Sequence, residues 1–319
     1  MKTALIIGIS SQDGSILTNF LIKKGGYKIY GSSRNCNDNS FQILNKLSII
    51  DKVDLINLNL LNLEDIKVVL KKIKPDEIYN FSGQSSVSYS FQYPYETIVS
   101  NFNSLVNIIE AIRVTEKNIK FFNACSSECF GDTNNRVNEE SDFNPKSPYG
   151  VSKASSFEVI KNYRDVYGLF LCSGILSNHE SVFRNEKFIS KKIINSAYNI
   201  SIGKQKTLEV GDITIIRDWG WAEDYVEAMY LILQNSIPED FIIATGKQIS
   251  LTEFIDCSFR KYNLDYKDYI IINNNFIRNY EIKSSLLNPE KINRKLGWLA
   301  KRNVYDVIDL LSDSIKIKK

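Results

Sequence analysis

The first half of the chain alternates short apolar runs with amphipathic segments. The apolar runs have the length and composition of buried parallel strands, and they lie at 3–7, 28–31, 53–58, 77–81, 120–124 and 169–173. Segments with helical periodicity separate them, for example 15–22, 63–70 and 104–112. Because such regular alternation needs a crossover helix between strands, it predicts an α/β fold with a doubly wound parallel sheet of the Rossmann type.

The alternation loosens after residue 176. Helical patterns remain at 186–198, 222–235 and 303–315, but long polar stretches separate them. We therefore predict a dinucleotide-binding domain over residues 1–176 and a smaller, mainly substrate-binding domain over residues 177–319. The apolar run at 240–246 is an exception, and we expect it to return to the edge of the first sheet.

The turn after the first strand is the first feature with a chemical meaning. Gly8 and Gly14 bracket the string Ile-Ser-Ser-Gln-Asp, with a predicted strand before it and a predicted helix after it. A glycine-rich turn of this kind lets backbone N–H groups and a helix N-terminus meet a pyrophosphate. Ser11 stands where a central glycine is expected, so we expect a slightly tighter approach of the phosphate.

The end of the second predicted strand indicates which dinucleotide is bound. Residues 32–35 read Ser-Ser-Arg-Asn, without an acidic residue that could accept a hydrogen bond from a ribose 2′-hydroxyl. Arg34 suits a 2′-phosphate instead, which favours NADP over NAD. The alternative is a solvated surface arginine without a ligand.

Three residues in the middle of the chain indicate acid–base chemistry. Tyr149 and Lys153 are four residues apart on a predicted helix and so share one face. We expect the ammonium to lower the pKa of the phenol, so that the tyrosinate can accept a proton from a sugar hydroxyl as hydride leaves the carbon. Glu128 adds a carboxylate at a strand end. An enzyme that only moves hydride has little need of it, whereas one that also removes a C–H proton does.

Composition narrows these possibilities by exclusion. The 319 residues carry a net charge of +3 with scattered basic residues, so nothing indicates nucleic acid, and no apolar run has the length of a membrane span. The chain enters its first strand too soon for a signal peptide, which makes the cytoplasm the expected location. The five cysteines form no C-x-x-C pair, and His179 is the only histidine, so we expect no disulfide framework, no metal site and no Ser-His-Asp triad.

With these features in place, the chain resembles the GDP-mannose 4,6-dehydratases, a family of the extended short-chain dehydrogenases/reductases. The resemblance runs from residue 3 to about residue 312. It rests on the strings Gln12-Asp13-Gly14-Ser15, Gly174 to Ser181, Arg217 to Gly220 with Asp224 to Met229, and Leu296-Gly297-Trp298. It implies an NADP-dependent hydro-lyase that converts GDP-mannose, or a GDP-manno-heptose, to the 4-keto-6-deoxy sugar.

The resemblance also implies roles for individual residues. The implied catalytic group is Ser126, Glu128, Tyr149 and Lys153. The implied NADP contacts are Gly8, Ser10, Ser11, Gln12, Asp13, Gly14, Arg34, Asn35, Asn59, Leu60, Phe81, Ser82, Gln84, Tyr149, Lys153, His179 and Arg184. The implied nucleotide-sugar contacts are Ser85, Glu128, Asn178, Lys192, Arg217, Arg278 and Glu281. Among these contacts, the two arginines suit a diphosphate, and the last carboxylate suits ribose hydroxyls.

The chain departs from the family pattern at some of these positions. Ser126 replaces a threonine, Asn59 replaces an aspartate, and Asn35 replaces a second arginine. The last change removes a charge from the expected 2′-phosphate pocket, which weakens the preference for NADP. Further departures at 182–183 and 213–216 make the hexose the least secure part of the resemblance.

Several alternatives stay open. A reductase, epimerase or C4-dehydrogenase of the same fold would use Tyr149 and Lys153 but would leave Glu128 without a role. A dehydratase of GDP-heptose would share every motif, and a non-enzymatic cofactor sensor would not need the Tyr–Lys pair. Of the other residues, Arg278 and Glu281 would make an ordinary surface ion pair if they bound no substrate.

A homodimer or homotetramer is expected, because this family commonly pairs the helix that carries Tyr149 with its symmetry mate. Ala154, Phe157 and Ile160 give that helix an apolar stripe. The same stripe would also suit the core of a monomer.

Overall fold

A computed structural model of the chain describes residues 1–34, 38–115, 118–276 and 278–316. Its strands are β1 Lys2–Ile7, β2 Tyr27–Ser33, β3 Asp54–Asn57, β4 Glu77–Asn80, β5 Lys120–Ser126, β6 Leu171–Leu176, β7 Asn178–Glu180, β8 Leu208–Val210, β9 Ile216–Trp221, β10 Phe241–Ile243, β11 Gln248–Ser250 and β12 Ile270–Ile272. Its helices are α1 Gln12–Lys24, α2 Gln42–Lys46, α3 Leu63–Ile73, α4 Val87–Gln92, α5 Pro94–Ile98, α6 Ser104–Thr115, α7 Pro148–Tyr167, α8 Ile189–Ser201, α9 Ala222–Gln234, α10 Leu251–Arg260, α11 Glu290–Leu296 and α12 Val304–Lys316.

Seven strands form one parallel sheet in the order β10-β6-β5-β4-β1-β2-β3. The predicted doubly wound sheet is therefore confirmed. The sixth strand begins later than predicted, at Leu171 and not at residue 169. The reason is local: Gly168 ends α7 in the left-handed conformation, and the next two residues complete the turn before the strand begins.

The winding of this sheet reverses between β1 and β4, which are neighbours although two strands separate them along the chain. In open α/β sheets, a crevice forms at such a reversal, outside the carboxyl ends of the strands. Gly8, Phe81 and Ser127 directly follow β1, β4 and β5. The topology therefore brings the glycine turn and the Glu128 segment to one edge of the sheet.

The second half of the chain divides its packing between two cores. Helices α8, α10 and α12 pack together with the small sheet β11-β9-β7. Helix α9, by contrast, packs on α1 against the large sheet, and β10 pairs with β6 at its edge, as predicted for 240–246. The division at residue 176 stays a prediction. Within the described ranges, no helix combines the length and apolar character that crossing a membrane requires.

Candidate active site

Two glycines shape the turn between β1 and α1. Gly8 has a φ of +80°, and a Cβ there would lie 2.9 Å from the carbonyl carbon and oxygen of Phe81. A Cβ at Gly14 would lie only 2.4 Å from the carbonyl oxygen of Gly8. Both positions therefore require glycine, the first for its conformation and the second for the close contact. The turn directs the N-terminus of α1 toward the crevice at the strand ends, as phosphate binding requires.

Ser11, which stands where a central glycine was expected, is the N-cap of α1. Its φ of −71° is open to any residue, and its hydroxyl accepts a hydrogen bond from the Gly14 N–H at 3.0 Å. Serine is among the best N-cap residues because it satisfies an N–H group that the helix leaves unpaired. Ser11 therefore stabilises the start of α1, and the tighter approach of a phosphate at this position stays a prediction.

The turn is braced by the segment that follows β6. The Gln12 amide donates to the His179 carbonyl at 3.2 Å and accepts from the Ser181 hydroxyl at 2.9 Å. The His179 Nε2 lies 2.9 Å from the Asp13 carboxylate. Gln12, Asp13 and His179, all predicted to contact NADP, are thus brought together, although more than 160 positions separate His179 from the other two.

His179 makes contacts through both ring nitrogens and through the face of its ring. Its Nδ1 lies 2.8 Å from the Ser177 carbonyl, and its ring stacks on Tyr225 with centroids 4.8 Å apart. Burial acts to lower the pKa of His179, but the Asp13 carboxylate outweighs it, so the pKa is raised above its ordinary value. The same ion pair holds the pKa of Asp13 below its usual value in spite of burial. The pair therefore favours a charged imidazole beside an ionised carboxylate.

The other predicted cofactor residues differ in their exposure and in the contacts that they already make. Arg34 and Asn59 are exposed, at the ends of β2 and β3, while Leu60 is buried. Asn35 lies outside the described residues. Arg184 is already paired, because its Nε lies 3.1 Å from the Glu180 carboxylate and its guanidinium lies over the Phe188 ring.

The loop after β4 is closed by its own side chains. The Ser82 hydroxyl donates to Asn80, and the Gln84 amide bonds both the backbone of Ser86 and the hydroxyl of Thr97. Ser85, predicted to contact substrate, is exposed at the tip. The arrangement gives Gln84 a structural role in addition to the predicted contact with the cofactor.

Tyr149 and Lys153 lie in the first turns of α7, and both are buried. The Lys153 Nζ donates to the Ala124 carbonyl at 2.8 Å, and it lies 5.8 Å from the centre of the Tyr149 ring. Burial raises the pKa of Tyr149, partly opposed by a hydrogen bond with Ser126, and burial lowers the pKa of Lys153. The expected lowering of the Tyr149 pKa is therefore wrong for this state, because burial of the phenol raises the pKa and the Lys153 ammonium donates to a backbone carbonyl and not to the phenol.

Ser126 ends β5 and caps the short 3₁₀ turn that carries Glu128, whose N–H it contacts at 3.3 Å. The same hydroxyl is hydrogen-bonded to the Tyr149 phenol, so Ser126 contacts both the N–H group after the strand end and the phenol. Burial raises the pKa of Glu128, while Arg217 and Arg278 act to lower it. A carboxylate in this position can exchange protons nearer to neutral pH than an exposed glutamate.

Glu281 joins the two predicted diphosphate-binding arginines. One oxygen of its carboxylate accepts from Arg217 and from Arg278, each at 3.2 Å. Arg217 lies on β9 with only 6% of its surface exposed, and its Nη1 donates to the Ile216 carbonyl. The three residues form one cluster beside Glu128, so Arg278 and Glu281 are not an isolated surface pair.

The two remaining predicted substrate residues lie on neighbouring elements. Asn178 begins β7 and pairs with Trp219 of β9, two positions from Arg217. Lys192 is half-buried on α8, where its Nζ donates to the Glu209 carbonyl at 2.8 Å and lies 4.3 Å from the centre of the Phe276 ring. These contacts direct Lys192 toward β8 and Phe276 and not toward the arginine cluster.

The sequence did not predict a buried asparagine that is hydrogen-bonded to α7, the helix that carries Tyr149 and Lys153. Asn101 lies in a π-helical turn before α6, and its amide donates to the Gln84 carbonyl and to the hydroxyl of Ser152. Ser152 lies between Tyr149 and Lys153. Single-turn π segments often mark functional sites, but only the folded chain reveals this one.

Comparison with known proteins shows which family the chain matches. The family model described as GDP-mannose 4,6 dehydratase matches residues 5–311. The chain is 38% identical to GDP-mannose 4,6 dehydratase 1 of Arabidopsis thaliana over 323 residues, which cover 98% of this chain and 89% of the relative.

Solved structures share the fold at lower identity. The dTDP-glucose 4,6-dehydratase of Bacillus anthracis, in complex with NAD, aligns with a TM-score of 0.85 and 20% identity, covering 99% of this chain and 97% of the other. RMD of Pseudomonas aeruginosa, complexed with NADPH, aligns with a TM-score of 0.81 and 17% identity over the whole of both chains. The neighbours thus include proteins with either nicotinamide cofactor.

The lone histidine permits a direct test of the Asp13–His179 pair. We expect the imidazole of His179 to titrate above pH 6.5 in the folded protein, and to titrate below that value in Asp13→Asn, because burial alone disfavours the charged ring. NMR titration of the imidazole measures both. The raised pKa also stabilises the fold below about pH 6.5, and this contribution is lost as the pH rises through the folded-state pKa.

Asp65→Asn, an exposed change on α3, is the control and should leave the imidazole titration unaltered. An Asp13→Asn protein in which His179 titrates as in the unmodified chain would show that the ion pair does not set this pKa.

Proposed function

The chain belongs to the GDP-mannose 4,6-dehydratase family of GDP-sugar 4,6-dehydratases, and on that premise we propose that GDP-mannose is its substrate and NADP its cofactor. The observation that carries the proposal is the position of Glu128. It shares one short turn with Ser126, beside Tyr149, and it faces the cluster of Arg217, Arg278 and Glu281.

The cofactor assignment is supported by the shape of the first turn and by the charge at the end of β2. The two glycines permit a compact turn in which a side chain would collide with the backbone of Phe81 or Gly8, and α1 offers its N-terminal N–H groups to a pyrophosphate. The exposed guanidinium of Arg34 suits a 2′-phosphate. When bound, the oxidised nicotinamide would accept hydride from C4 of the sugar and return it at C6, and its positive charge would favour the phenolate form of Tyr149.

The roles of the protein groups follow from their positions. Tyr149 takes the proton of the sugar 4-hydroxyl, with Ser126 donating a hydrogen bond to the phenolic oxygen that becomes charged. A ketone at C4 makes the C5 proton acidic, and Glu128 removes it. The protonated Glu128 then gives a proton to the departing 6-hydroxyl, which leaves as water. Lys153 adds positive charge near the phenol and fixes α7 to β5.

The arginine cluster supports a diphosphate as the group that anchors the substrate. Arg217 and Arg278 converge on one carboxylate oxygen, so their guanidinium groups are already oriented toward a shared acceptor. A diphosphate offers several such oxygens in bidentate geometry. Glu281 is then available for the ribose hydroxyls, as predicted from the sequence.

Two further assignments stay predictions. We propose a homo-oligomer through α7. The stripe of Ala154, Phe157 and Ile160 is buried within the single chain, but Val151 and Val166 of the same helix are exposed apolar residues. Light scattering should give a mass of at least twice 36.6 kDa at micromolar concentration, and a monomer would contradict this assignment. The cytoplasmic location, expected from the sequence, is likewise a proposal that fractionation of cells would test.

The decisive test of the function is Glu128→Gln. The amide is nearly isosteric with the carboxylate but cannot accept a proton as a base. Conversion of GDP-mannose should fall by about 10²- to 10⁴-fold, while binding of GDP and NADP should be retained. Deuterium exchange at C5 should be lost, and reduced cofactor should accumulate on the enzyme. Tyr149→Phe should block the earlier oxidation as well, so that no reduced cofactor appears.

Glu140→Gln, an exposed change in the loop before α7, serves as the matched control and should keep the full rate. A Glu128→Gln enzyme with the full rate would favour a simple dehydrogenase or reductase. Mass spectrometry of parallel reactions with GDP-mannose and GDP-manno-heptose identifies which sugar is dehydrated, and turnover of the heptose alone would overturn the choice of GDP-mannose.

The preference for NADP is tested at Arg34. Arg34→Asp should weaken binding of NADP and strengthen binding of NAD, because a carboxylate repels the 2′-phosphate and accepts hydrogen bonds from the ribose diol. Binding of both cofactors to both proteins is measured by calorimetry. Equal affinity of the unmodified protein for NAD and NADP would show that Arg34 does not recognise the 2′-phosphate.

A further inference from the structure

Residues 278–288, here called the strap, carry Arg278 and Glu281 across the candidate site. The strap contains no helix, and its only strand-like pairings are isolated bridges at Ser284 and Leu287. Irregular backbone has few internal hydrogen bonds, so its position depends on the groups to which it is attached. The placement of two substrate-binding side chains therefore depends on the contacts of the strap.

One edge of the strap is attached to β9. The Ile216 N–H donates to the Lys283 carbonyl at 2.7 Å, and the Ser285 N–H donates to the Ile216 carbonyl at 3.2 Å. Because Arg217 is the next residue of β9, this edge fixes the distance between the strap backbone and one of the two arginines.

The other edge is attached to Asp132. Its two carboxylate oxygens accept from the Tyr280 hydroxyl at 2.7 Å and from the Lys283 and Ser284 N–H groups at 2.5 and 3.3 Å. These hydrogen bonds hold the pKa of Asp132 below its usual value, against the effect of burial. Thr133 extends the attachment, since its hydroxyl accepts from the Leu286 N–H at 2.6 Å.

Asp132 is in turn fixed to the catalytic turn. It follows Glu128 by four positions, and Gly131 between them has a φ of +67°. A Cβ at Gly131 would lie 2.2 Å from the Asn144 carbonyl oxygen, so the backbone of this segment is packed against its neighbour. The Asp132 carboxylate thus connects the segment of the proposed base with the segment of Arg278 and Glu281.

We infer that Asp132 is a positioning residue for the nucleotide diphosphate: it fixes the strap so that Arg278 and Glu281 stay beside Arg217. The inference rests on the proposed function, which assigns GDP to these side chains. Asp132 acts through the strap and touches none of the three cluster residues by a hydrogen bond, so its effect should appear in substrate binding and not in the chemical step.

The test compares Asp132→Ala with Asp132→Asn in the NADP-loaded protein, with GDP as the probe. Alanine removes all three acceptor contacts, and the Kd of GDP and the KM of GDP-mannose should each rise by about tenfold. The kcat should stay within about twofold, and the Kd of NADP should not change. Asparagine keeps an oxygen for the two N–H groups and an amide that can donate to the Tyr280 oxygen, so it should restore near-normal GDP binding.

Tyr280→Phe keeps the test valid if the alanine variant does not fold. It removes one contact to Asp132 and should weaken GDP binding by about threefold. Tyr305→Phe is the matched control, because the Tyr305 hydroxyl likewise donates to a carboxylate, that of the exposed Glu253, but Tyr305 lies on α12 and not on the strap. This control should bind GDP normally.

The possible results distinguish failure of the positioning role of Asp132 from failure of the proposed function. If the unmodified protein binds no GDP, the proposed substrate class is wrong. If it binds GDP but Asp132→Ala or Tyr280→Phe binds equally well, the positioning role is wrong. A loss of GDP binding in Asp132→Asn as large as in Asp132→Ala would also overturn it, because the effect would then come from charge and not from the strap.

Discussion

The close contact between α7 and the end of β5 is the constraint on which the rest of the site depends. Gly150 lies so near to the turn after β5 that a Cβ there would be 2.8 Å from the Glu128 carbonyl oxygen. The hydrogen bond from Lys153 to Ala124 fixes the same two elements one turn further along. Because both contacts involve backbone, Tyr149 and Glu128 cannot separate unless a strand or a helix moves.

This constraint places ionisable groups in a partly desolvated space, where their charges must be balanced. Glu128, Glu281 and Asp132 act on one another as like charges, and Arg217 and Arg278 act against them. Burial raises the pKa of Glu128, and the arginines limit the rise. A bound diphosphate would draw the arginines to itself, which would leave Glu128 with weaker opposing charge and a greater affinity for protons at the stage when it must take one.

The sequence allowed prediction of features that depend on local spacing. The parallel sheet, the return of residues 241–243 and the common face of Tyr149 and Lys153 follow from periodicity, which tertiary contacts preserve. The N-cap role of Ser11 was not predicted, because a glycine pattern does not show which residue caps the helix that follows. The start of β6 was wrong because the left-handed Gly168 delays the strand by two residues.

The contacts that could not be predicted join distant parts of the chain through single hydrogen bonds. Asp132 meets Lys283 and Tyr280 in this way, and no periodicity marks such a pairing.

The longest of these connections links the proposed cofactor turn to the proposed substrate strand. Asp13 pairs with His179, whose other nitrogen faces the Ser177 carbonyl, and the Ser177 hydroxyl donates to Asp218 at 3.2 Å. Asp218 directly precedes Trp219 on β9 and follows Arg217, and burial raises its pKa to about 6. Asp13 is half-buried, the other three members are buried, and all four are hydrogen-bonded, so a displacement at either end leaves a polar group unsatisfied at the next. The two proposed binding sites are therefore parts of one hydrogen-bonded structure, and a rigid relation between them is what hydride transfer requires, since the reacting carbon and the hydride acceptor must meet at a fixed distance.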